Sequence, residues 1–275
     1  MQSFFRSFFQ TAPLYGDTQG ISSIKLHKYN GREHTIRNME RFFDFTIGPG
    51  TEGFGQFSAA HGLYLAAAAL SALPLCLLYR RLGAEKRRGL RLALASSALA
   101  LQLLRAVLLM TGGAYTIGRL PLHLCAMAVY ISFFHALRGG RLVGQFLYAF
   151  CMPGAAAALL FPDWSYYPAL HFMTVSSFVL HILVFCYVLM QVCGGDIQPD
   201  AKSLPQCLGI MLAIGIPVYV FDVLTNTNYL FLNWPSTGSP LELFAFLGRP
   251  GYVLGYLPLI AVVWLVLYLP FVLKN

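Results

Sequence analysis

The sequence predicts an all-α polytopic membrane protein, a seven-transmembrane-helix bundle with a polar N-terminal extension. Hydrophobic residues make up 57% of the chain and charged residues only 11%, against about 45–50% and about 25% in soluble domains. Apolar runs of about twenty residues recur, and each is long enough to cross a hydrocarbon core of ~30 Å as a helix. The alternating pattern of an outer-membrane strand is absent.

The N-terminal extension comprises residues 1–56, which are polar, glycine-bearing and of mixed charge. Its aromatic clusters are typical of a segment that lies at the membrane interface. Around Phe42 to Phe45 two interpretations stay open, a helix in the interface or ordinary packing over a loop. The transmembrane helical domain is predicted over residues 57–275.

Seven spans are predicted, with ends uncertain by several residues. They cover residues 57–79, 90–112, 119–137, 142–161, 168–193, 204–225 and 250–273. Pro153 lacks an amide hydrogen, so we expect it to kink or break its helix. The longest loop between spans, from Asn226 to Arg249, is a candidate lid.

The distribution of Lys and Arg predicts the orientation in the cell membrane. Six lie in residues 80–91 and two in residues 138–141, whereas the alternate loops carry only Arg119 and Arg249. The positive-inside rule therefore predicts a cytoplasmic C-terminus and, with seven crossings, an N-terminus outside. The net charge of +8 does not indicate nucleic-acid binding, because no basic stripe is interleaved with aromatic residues.

Polar residues within the predicted spans concentrate near the external boundary. Insertion of each costs roughly 2.5–3.5 kcal/mol, so each is a functional candidate. The five residues within about two turns of that boundary are His61, Arg105, Cys125, His171 and Asp222. Alternatively they form a packing network in which Arg105 pairs with Asp222 and the histidines bond to backbone carbonyls. For His61 the packing interpretation is the simpler one.

Cys125 differs from the other five cysteines because histidines lie near it in sequence and depth. A catalytic thiol needs a neighbouring base or cation. In a regular helix His123 points about 200° away from Cys125, so we expect the base to come from another helix, as His171 or His181. The cysteines show no paired metal spacing, and no metal or diffusible cofactor is implied.

Residues on the same side could bind the substrate. Donors for a developing oxyanion could come from Asn226, Asn228, Tyr229 or Arg105. The Arg105 guanidinium could equally bind a phosphate through two hydrogen bonds. His123, Asp222 and His61 complete the set of predicted substrate-binding residues.

Three features together carry a family resemblance: the stretch Gly118-Arg119-Leu120-Pro121-Leu122-His123-Leu124-Cys125, the mid-span His181, and Asp222 followed by Asn228-Tyr229-Leu230-Phe231-Leu232. From about His61 to the C-terminus the chain resembles the YwaF-type bacterial integral membrane family. That family is similar to the eukaryotic transmembrane protein 164 family of cysteine phospholipid acyltransferases. The resemblance implies that Cys125 accepts the acyl group, that His181 is its base, and that the partners are membrane lipids.

The leading hypothesis is a membrane acyltransferase or transacylase that moves a fatty acyl chain from a phospholipid donor to a lysophospholipid acceptor through a cysteine thioester. The alternative is a non-enzymatic lipid or small-molecule transporter or receptor with an intramembrane polar binding site. A third hypothesis is a scaffold whose buried polar groups only determine helix packing. Acyl length, head group and oligomeric state do not follow from the sequence.

Overall fold

The computed structural model describes residues 42–48 and 53–273, and all regular structure in these ranges is helical. Residues 1–41 lie outside the described part, so the extension over residues 1–56 largely stays a prediction. Seven α-helices follow one another along the described chain. They are α1 (Ala59–Arg81), α2 (Ala84–Thr111), α3 (Leu124–Arg138), α4 (Arg141–Leu160), α5 (Phe172–Gly194), α6 (Leu204–Thr225) and α7 (Tyr256–Val272).

Six helical segments of the described chain are long and apolar enough to cross a membrane, and they correspond to six of the predicted spans. The exception is α3, whose 15 residues extend about 22 Å. It begins five residues later than predicted because Pro121 lies in a tight turn, in which Leu122 N donates to Leu120 O at 2.8 Å. The polytopic helical class is confirmed, and the count of seven crossings is not.

The central helix of the bundle is α5, which packs against α1, α2, α3 and α4. It is buried on nearly every side, as expected for a helix that is apolar all round. In contrast, α6 and α7 expose large apolar side chains, among them Ile216, Leu224, Leu257 and Leu265. These outward surfaces are suited to contact lipid.

Pro153 does not break α4. One π-helical turn, Leu147–Cys151, precedes it, and the helix continues to Leu160. The carbonyl of Ala149 is the one that an amide at position 153 would have bonded. Trp264 on α7 donates its indole N–H to that carbonyl at 3.0 Å. A side chain from another helix therefore replaces the missing backbone bond.

Asp196 joins three helices at the end of the bundle where α1 finishes and α2 begins. Its carboxylate accepts from Arg87 at 2.8 Å, and also from Arg91 and the Tyr79 hydroxyl. Arg87 additionally donates to Gly194 O at 2.8 Å. Because Arg87 and Arg105 are 18 residues apart on α2, about 27 Å separates this cluster from the depth of Arg105.

The chain after α6 folds over the opposite end of the bundle. Three tyrosine hydroxyls hold it: Tyr229 donates to Ile117 O, Tyr252 to Phe231 O and Tyr256 to Leu230 O. Leu230 and Phe231 have φ angles of 54° and 52°, a left-handed conformation that costs a side-chain-bearing residue about 1–2 kcal/mol. The tyrosines thus stabilise a strained turn.

The described residues 42–48 pack at the start of α5. The rings of Phe42, Phe43 and Phe45 lie 6.0, 5.4 and 6.2 Å from the ring of Phe172. This arrangement fits the packing interpretation of the aromatic cluster.

Candidate functional site

Cys125 is the second residue of α3, and His123 is the N-cap. The Cys125 thiol faces the backbone N–H groups of Cys125 and Ala126. The N-terminus of a helix carries a partial positive charge, which would stabilise a thiolate after the base has removed the proton. Cys125 is also partly exposed although protein surrounds it, as expected for a side chain that faces an internal recess.

The predicted orientation of His123 is wrong because it assumed a regular helix. His123 precedes the first turn of α3 with φ −68° and ψ 146°, so an angle of 200° from Cys125 does not apply. Its ring packs against Tyr229 at 4.9 Å and Phe231 at 5.6 Å. Asp163, Asp222 and Arg105 are its charged neighbours. His123 therefore belongs to the site.

Arg105 approaches Cys125 from α2. Its nearest charged or titratable neighbours include Cys125, Arg119 and Asp163. No hydrogen bond or ion pair joins its guanidinium to any described residue, so the alternative in which Arg105 pairs with Asp222 is wrong. A partly exposed, unpaired guanidinium can bind an anion.

Asp222 anchors the loop that follows α6. Its Oδ1 accepts from Thr227 Oγ1 at 2.7 Å and from the Tyr229 amide at 2.9 Å. Its Oδ2 has no partner among the described residues, and the side chain is fully buried. Asp222 thus positions Tyr229, which packs on His123.

One ring nitrogen of His181 is hydrogen-bonded, and the other has no partner among the described residues. Its Nδ1–H donates to Ser177 O at 2.7 Å, which leaves Nε2 as the acceptor of a neutral imidazole. That Nε2 is buried without a hydrogen-bond partner in the described chain. The ring stacks on Trp164, with centroids 4.9 Å apart, and has Arg105 and His123 as charged neighbours.

His171 and His61 are fully hydrogen-bonded. His171 caps α5 by accepting from the Met173 amide at 3.1 Å, and its Nε2 donates to Asp44 O at 3.1 Å. His61 accepts from the Phe57 amide at 2.9 Å and donates to Leu159 O at 2.7 Å. Neither imidazole has a nitrogen left for catalysis or binding, so both have the packing role.

The amides of the long loop bind the loop itself. Asn228 accepts from the amides of Asn233 and Trp234 at 3.0 and 2.9 Å and donates to Trp234 O at 2.9 Å. Asn226 ends α6 in a left-handed conformation with φ 53°. The Tyr229 hydroxyl is bound to Ile117 O. The Asn228 side chain and the Tyr229 hydroxyl are therefore already engaged, whereas Asn226 contributes its backbone to the end of α6.

Two site residues were missed by sequence reasoning, Asp163 and Trp164 on the loop between α4 and α5. Asp163 is a charged neighbour of His123, Arg119 and Arg105, and also of Cys125. Burial raises the pKa of Asp163, although His123 and the two arginines oppose the shift. Part of the side chain stays accessible to solvent, so the surrounding protein raises the pKa without sealing the carboxyl from water. A sequence signal existed, because Asp163 is the only acidic residue between Lys86 and Gly195.

No cluster of three or more His, Cys, Asp or Glu residues suited to a metal occurs in the described ranges. The recess instead combines a thiol at a helix N-terminus, a spare imidazole nitrogen and an unpaired guanidinium. Such a set can activate a nucleophile and bind a negatively charged group.

A family model described as the TMEM164 family matches residues 56–268. No curated protein and no solved structure matches the chain.

Proposed function

The chain belongs to the TMEM164 family, and from this membership we propose that it is a membrane-embedded acyltransferase or transacylase. It moves a fatty acyl chain between a phospholipid and a lysophospholipid. Cys125 carries the chain as a thioester, and His181 is the base. Membrane lipids are the partners in both half-reactions.

The observation that carries the proposal is the unpartnered Nε2 of His181. A general base needs a free lone pair, and His181 has one because Ser177 O accepts its other nitrogen's hydrogen. His171 has no such lone pair, since the Met173 amide already donates to its Nδ1. This contrast favours His181 over His171.

In the first half-reaction the Cys125 proton passes to His181 Nε2, and Sγ forms a bond to the ester carbonyl carbon. The carbon–oxygen bond of the phospholipid ester then breaks. His181 returns its proton to the leaving oxygen, so that a lysophospholipid and a Cys125 thioester result. No redox partner is needed.

The second half-reaction is the reverse with a different alcohol. The hydroxyl of the acceptor lysophospholipid gives its proton to His181, and its oxygen attacks the thioester carbonyl. The carbon–sulfur bond breaks, and the thiolate recovers a proton from His181. The covalent intermediate divides one difficult transfer into two easier steps.

Arg105 would bind the phosphate of the lipid head group. Its guanidinium is unpaired and lies beside Cys125, and Arg forms paired hydrogen bonds to phosphate oxygens. The turn formed by Leu230 and Phe231, which packs on His123, would act with the rest of the long loop as a lid. A lid would keep water from hydrolysing the thioester.

We also propose seven crossings of the cell membrane, with the N-terminus outside and the C-terminus in the cytoplasm. Although α3 is short, it starts beside Arg105 and ends near His135. The His135 Nδ1 and the Tyr187 hydroxyl form a hydrogen bond of 2.9 Å. This course of α3 supports a seventh crossing. The Lys- and Arg-rich α1–α2 connection would face the cytoplasm.

The test uses purified protein with a labelled phospholipid and an unlabelled lysophospholipid. Acyl exchange is expected in the wild type, no exchange in Cys125→Ala, and a strong reduction in His181→Ala. The matched control is Cys193→Ala, because Cys193 is an exposed thiol at the C-terminal end of α5. Intact-mass measurement should show an acyl adduct on the wild type and none on Cys125→Ala. Transfer that survives without Cys125 would contradict the proposal.

The unpaired Arg105 also favours a second candidate, a lipid or small-molecule transporter or receptor that binds its ligand without covalent chemistry. The same variants separate the two. Ligand binding or flux that persists in Cys125→Ser and is lost in Arg105→Gln would support the transporter or receptor.

A further inference from the structure

Two buried polar atoms that have no hydrogen-bond partner within the described ranges belong to side chains that stack on each other. These atoms are Nε2 of His181 and the indole Nε1 of Trp164. The two ring planes are inclined by 21°. The Trp164 ring is also held edge-on by Phe178, with centroids 5.4 Å apart and planes at 79°. An indole N–H without an acceptor is unusual in a protein interior, because burying an unpaired donor is unfavourable.

Several other donors at this end of the bundle already make hydrogen bonds. The Asn228 amide donates to Trp234 O, the Tyr229 hydroxyl to Ile117 O, and the Asn233 amide to Thr227 O. Arg119 donates to the Tyr167 hydroxyl at 2.9 Å. Each of these groups makes at least one hydrogen bond, whereas the Trp164 N–H is buried with no acceptor among the described residues.

Trp164 is connected to the proposed nucleophile through the residue before it in the chain and through the ring on which it stacks. Asp163, the preceding residue, is a charged neighbour of Cys125. His181, on which Trp164 stacks, is a charged neighbour of Arg105 and His123, and Arg105 is in turn a neighbour of Cys125. The indole therefore lies against the proposed base and directly follows a residue that interacts electrostatically with Cys125.

We propose that the Trp164 indole N–H donates a hydrogen bond to the oxyanion that forms when Cys125 attacks the ester carbonyl of the donor lipid. This inference rests on the proposed function. As the sulfur–carbon bond forms, the carbonyl π electrons move to oxygen and create a tetrahedral alkoxide. The alkoxide collapses when the carbon–oxygen bond to the leaving alcohol breaks, and the carbonyl is restored.

The position beside His181 gives Trp164 two tasks at once. Its ring face packs against the imidazole that accepts the thiol proton, and its N–H serves the charge that appears on oxygen in the same step. A donor held in place before the reaction requires no reorganisation in the transition state. Arg105 would add a long-range positive charge.

The experiment compares Trp164→Phe with Trp264→Phe. Phe retains an aromatic ring on His181 and Phe178 but has no donor. Loss of one oxyanion donor typically lowers kcat by about 10²-fold or more, so we expect that reduction in Trp164→Phe with KM nearly unchanged. The Trp264 N–H is bound to Ala149 O, so Trp264→Phe should retain the wild-type kcat.

A second measurement separates an oxyanion role from a packing role. A phospholipid analogue with a trifluoromethyl ketone in place of the ester adds the Cys125 thiol and presents a tetrahedral oxyanion. Its inhibition constant should weaken in Trp164→Phe by about the same factor as kcat falls. The affinity for an unreactive ether analogue should not change, because that analogue forms no oxyanion.

Replacing Trp164 with benzothienylalanine keeps the ring size and substitutes sulfur for the N–H, so it decides the question even if Trp164→Phe folds poorly. A kcat and ketone affinity equal to wild type in that variant would overturn the inference. Loss of thioester formation in Cys125→Ala alongside that result would leave the proposed function intact. Exchange that is insensitive to Cys125 would instead contradict the proposed function.

Discussion

The indole of Trp264 donates to the carbonyl oxygen of Ala149 at 3.0 Å, and this bond connects α7 to the turn of α4 before Pro153. Proline cannot supply an amide to that carbonyl. A buried or lipid-facing carbonyl needs a partner, since no water is at hand in the hydrocarbon region. The stability of α4 therefore depends on another helix.

Trp264→Phe should consequently lower the free energy of unfolding by about 1–3 kcal/mol, the cost of an acceptor left unpaired. Detergent-based thermal or denaturant unfolding would measure the change. The double variant Trp264→Phe with Pro153→Ala supplies the control, because an alanine amide could restore the backbone bond. A double variant no more stable than the single one would contradict this account.

Gly53 is required where the chain meets the α4–α5 loop. An added Cβ would lie 1.9 Å from Ser165 O and 2.7 Å from Tyr167 O, and the Phe54 amide donates to Ser165 O at 3.0 Å. Gly53→Ala must therefore displace the loop, and we expect acyl exchange to fall at least tenfold. Gly62→Ala is the matched control.

A Cβ at Gly62 would meet nothing within 4 Å, and alanine in a helix interior is favoured by up to about 1 kcal/mol over glycine. Gly62→Ala should therefore keep full activity with equal or higher stability. Equal activity in Gly53→Ala and Gly62→Ala would show that the loop position does not matter for the site.

Asp196 is expected to be a large contributor to stability at its end of the bundle. Asp196→Asn leaves Arg87 and Arg91 without their shared carboxylate, in a cluster where these side chains are only 20% and 24% exposed. We expect the free energy of unfolding to fall by about 2 kcal/mol, which is less than the cost of breaking a fully buried pair. Denaturant-induced unfolding of the wild type and the variant would measure this change.

The control for this comparison is Asp200→Asn. Asp200 pairs with Arg141, whose side chain is 77% exposed, and exposed pairs contribute about 0–1 kcal/mol. A loss in Asp200→Asn as large as that in Asp196→Asn would argue against the role assigned to the three-helix cluster.

Arg105 should determine preference for a phosphate-bearing donor. We expect Arg105→Gln to lower kcat/KM for a phospholipid by roughly 10- to 100-fold, the range of a hydrogen bond to a charged group. For a neutral diacylglycerol donor the loss should be much smaller. Steady-state kinetics with both donors would test this, and an equal loss for both would assign Arg105 to the reacting carbonyl instead of the head group.

Asp163 should make stability depend on pH. Burial raises the pKa of this carboxyl in the folded protein, so the folded state retains its proton at pH values where the unfolded chain has lost it. Stability should therefore decrease as pH rises from about 3.9, the ordinary carboxyl value, through the elevated folded pKa. Asp163→Asn should remove this decrease and lower activity. Melting curves across that range, with Asp200→Asn beside it, would show whether the slope belongs to Asp163.

Most of the helices followed from the sequence because long apolar runs leave little choice in lipid. The start of α3 did not, and this error mattered most, since it changed the orientation of His123 relative to Cys125. The Pro121 turn delays the helix until Leu124. Local sequence shows that a proline is present, but the neighbouring loop with Tyr229 and Phe231 determines how the turn is held.

Composition and the spacing of apolar runs, by themselves, determined the membrane class and the identity of the helices, because the hydrophobic requirement acts on each segment separately. The family motif singled out Cys125 and His181. Only the tertiary structure decided which polar atoms have a hydrogen-bond partner and which have none among the described residues. It satisfied His61, His171 and Asn228 with partners up to 127 residues away. Among the described residues it left His181 Nε2, the Trp164 N–H and the Arg105 guanidinium without a hydrogen-bond partner. Hydrogen-bond satisfaction depends on neighbours that are distant in sequence, so no local pattern can specify it.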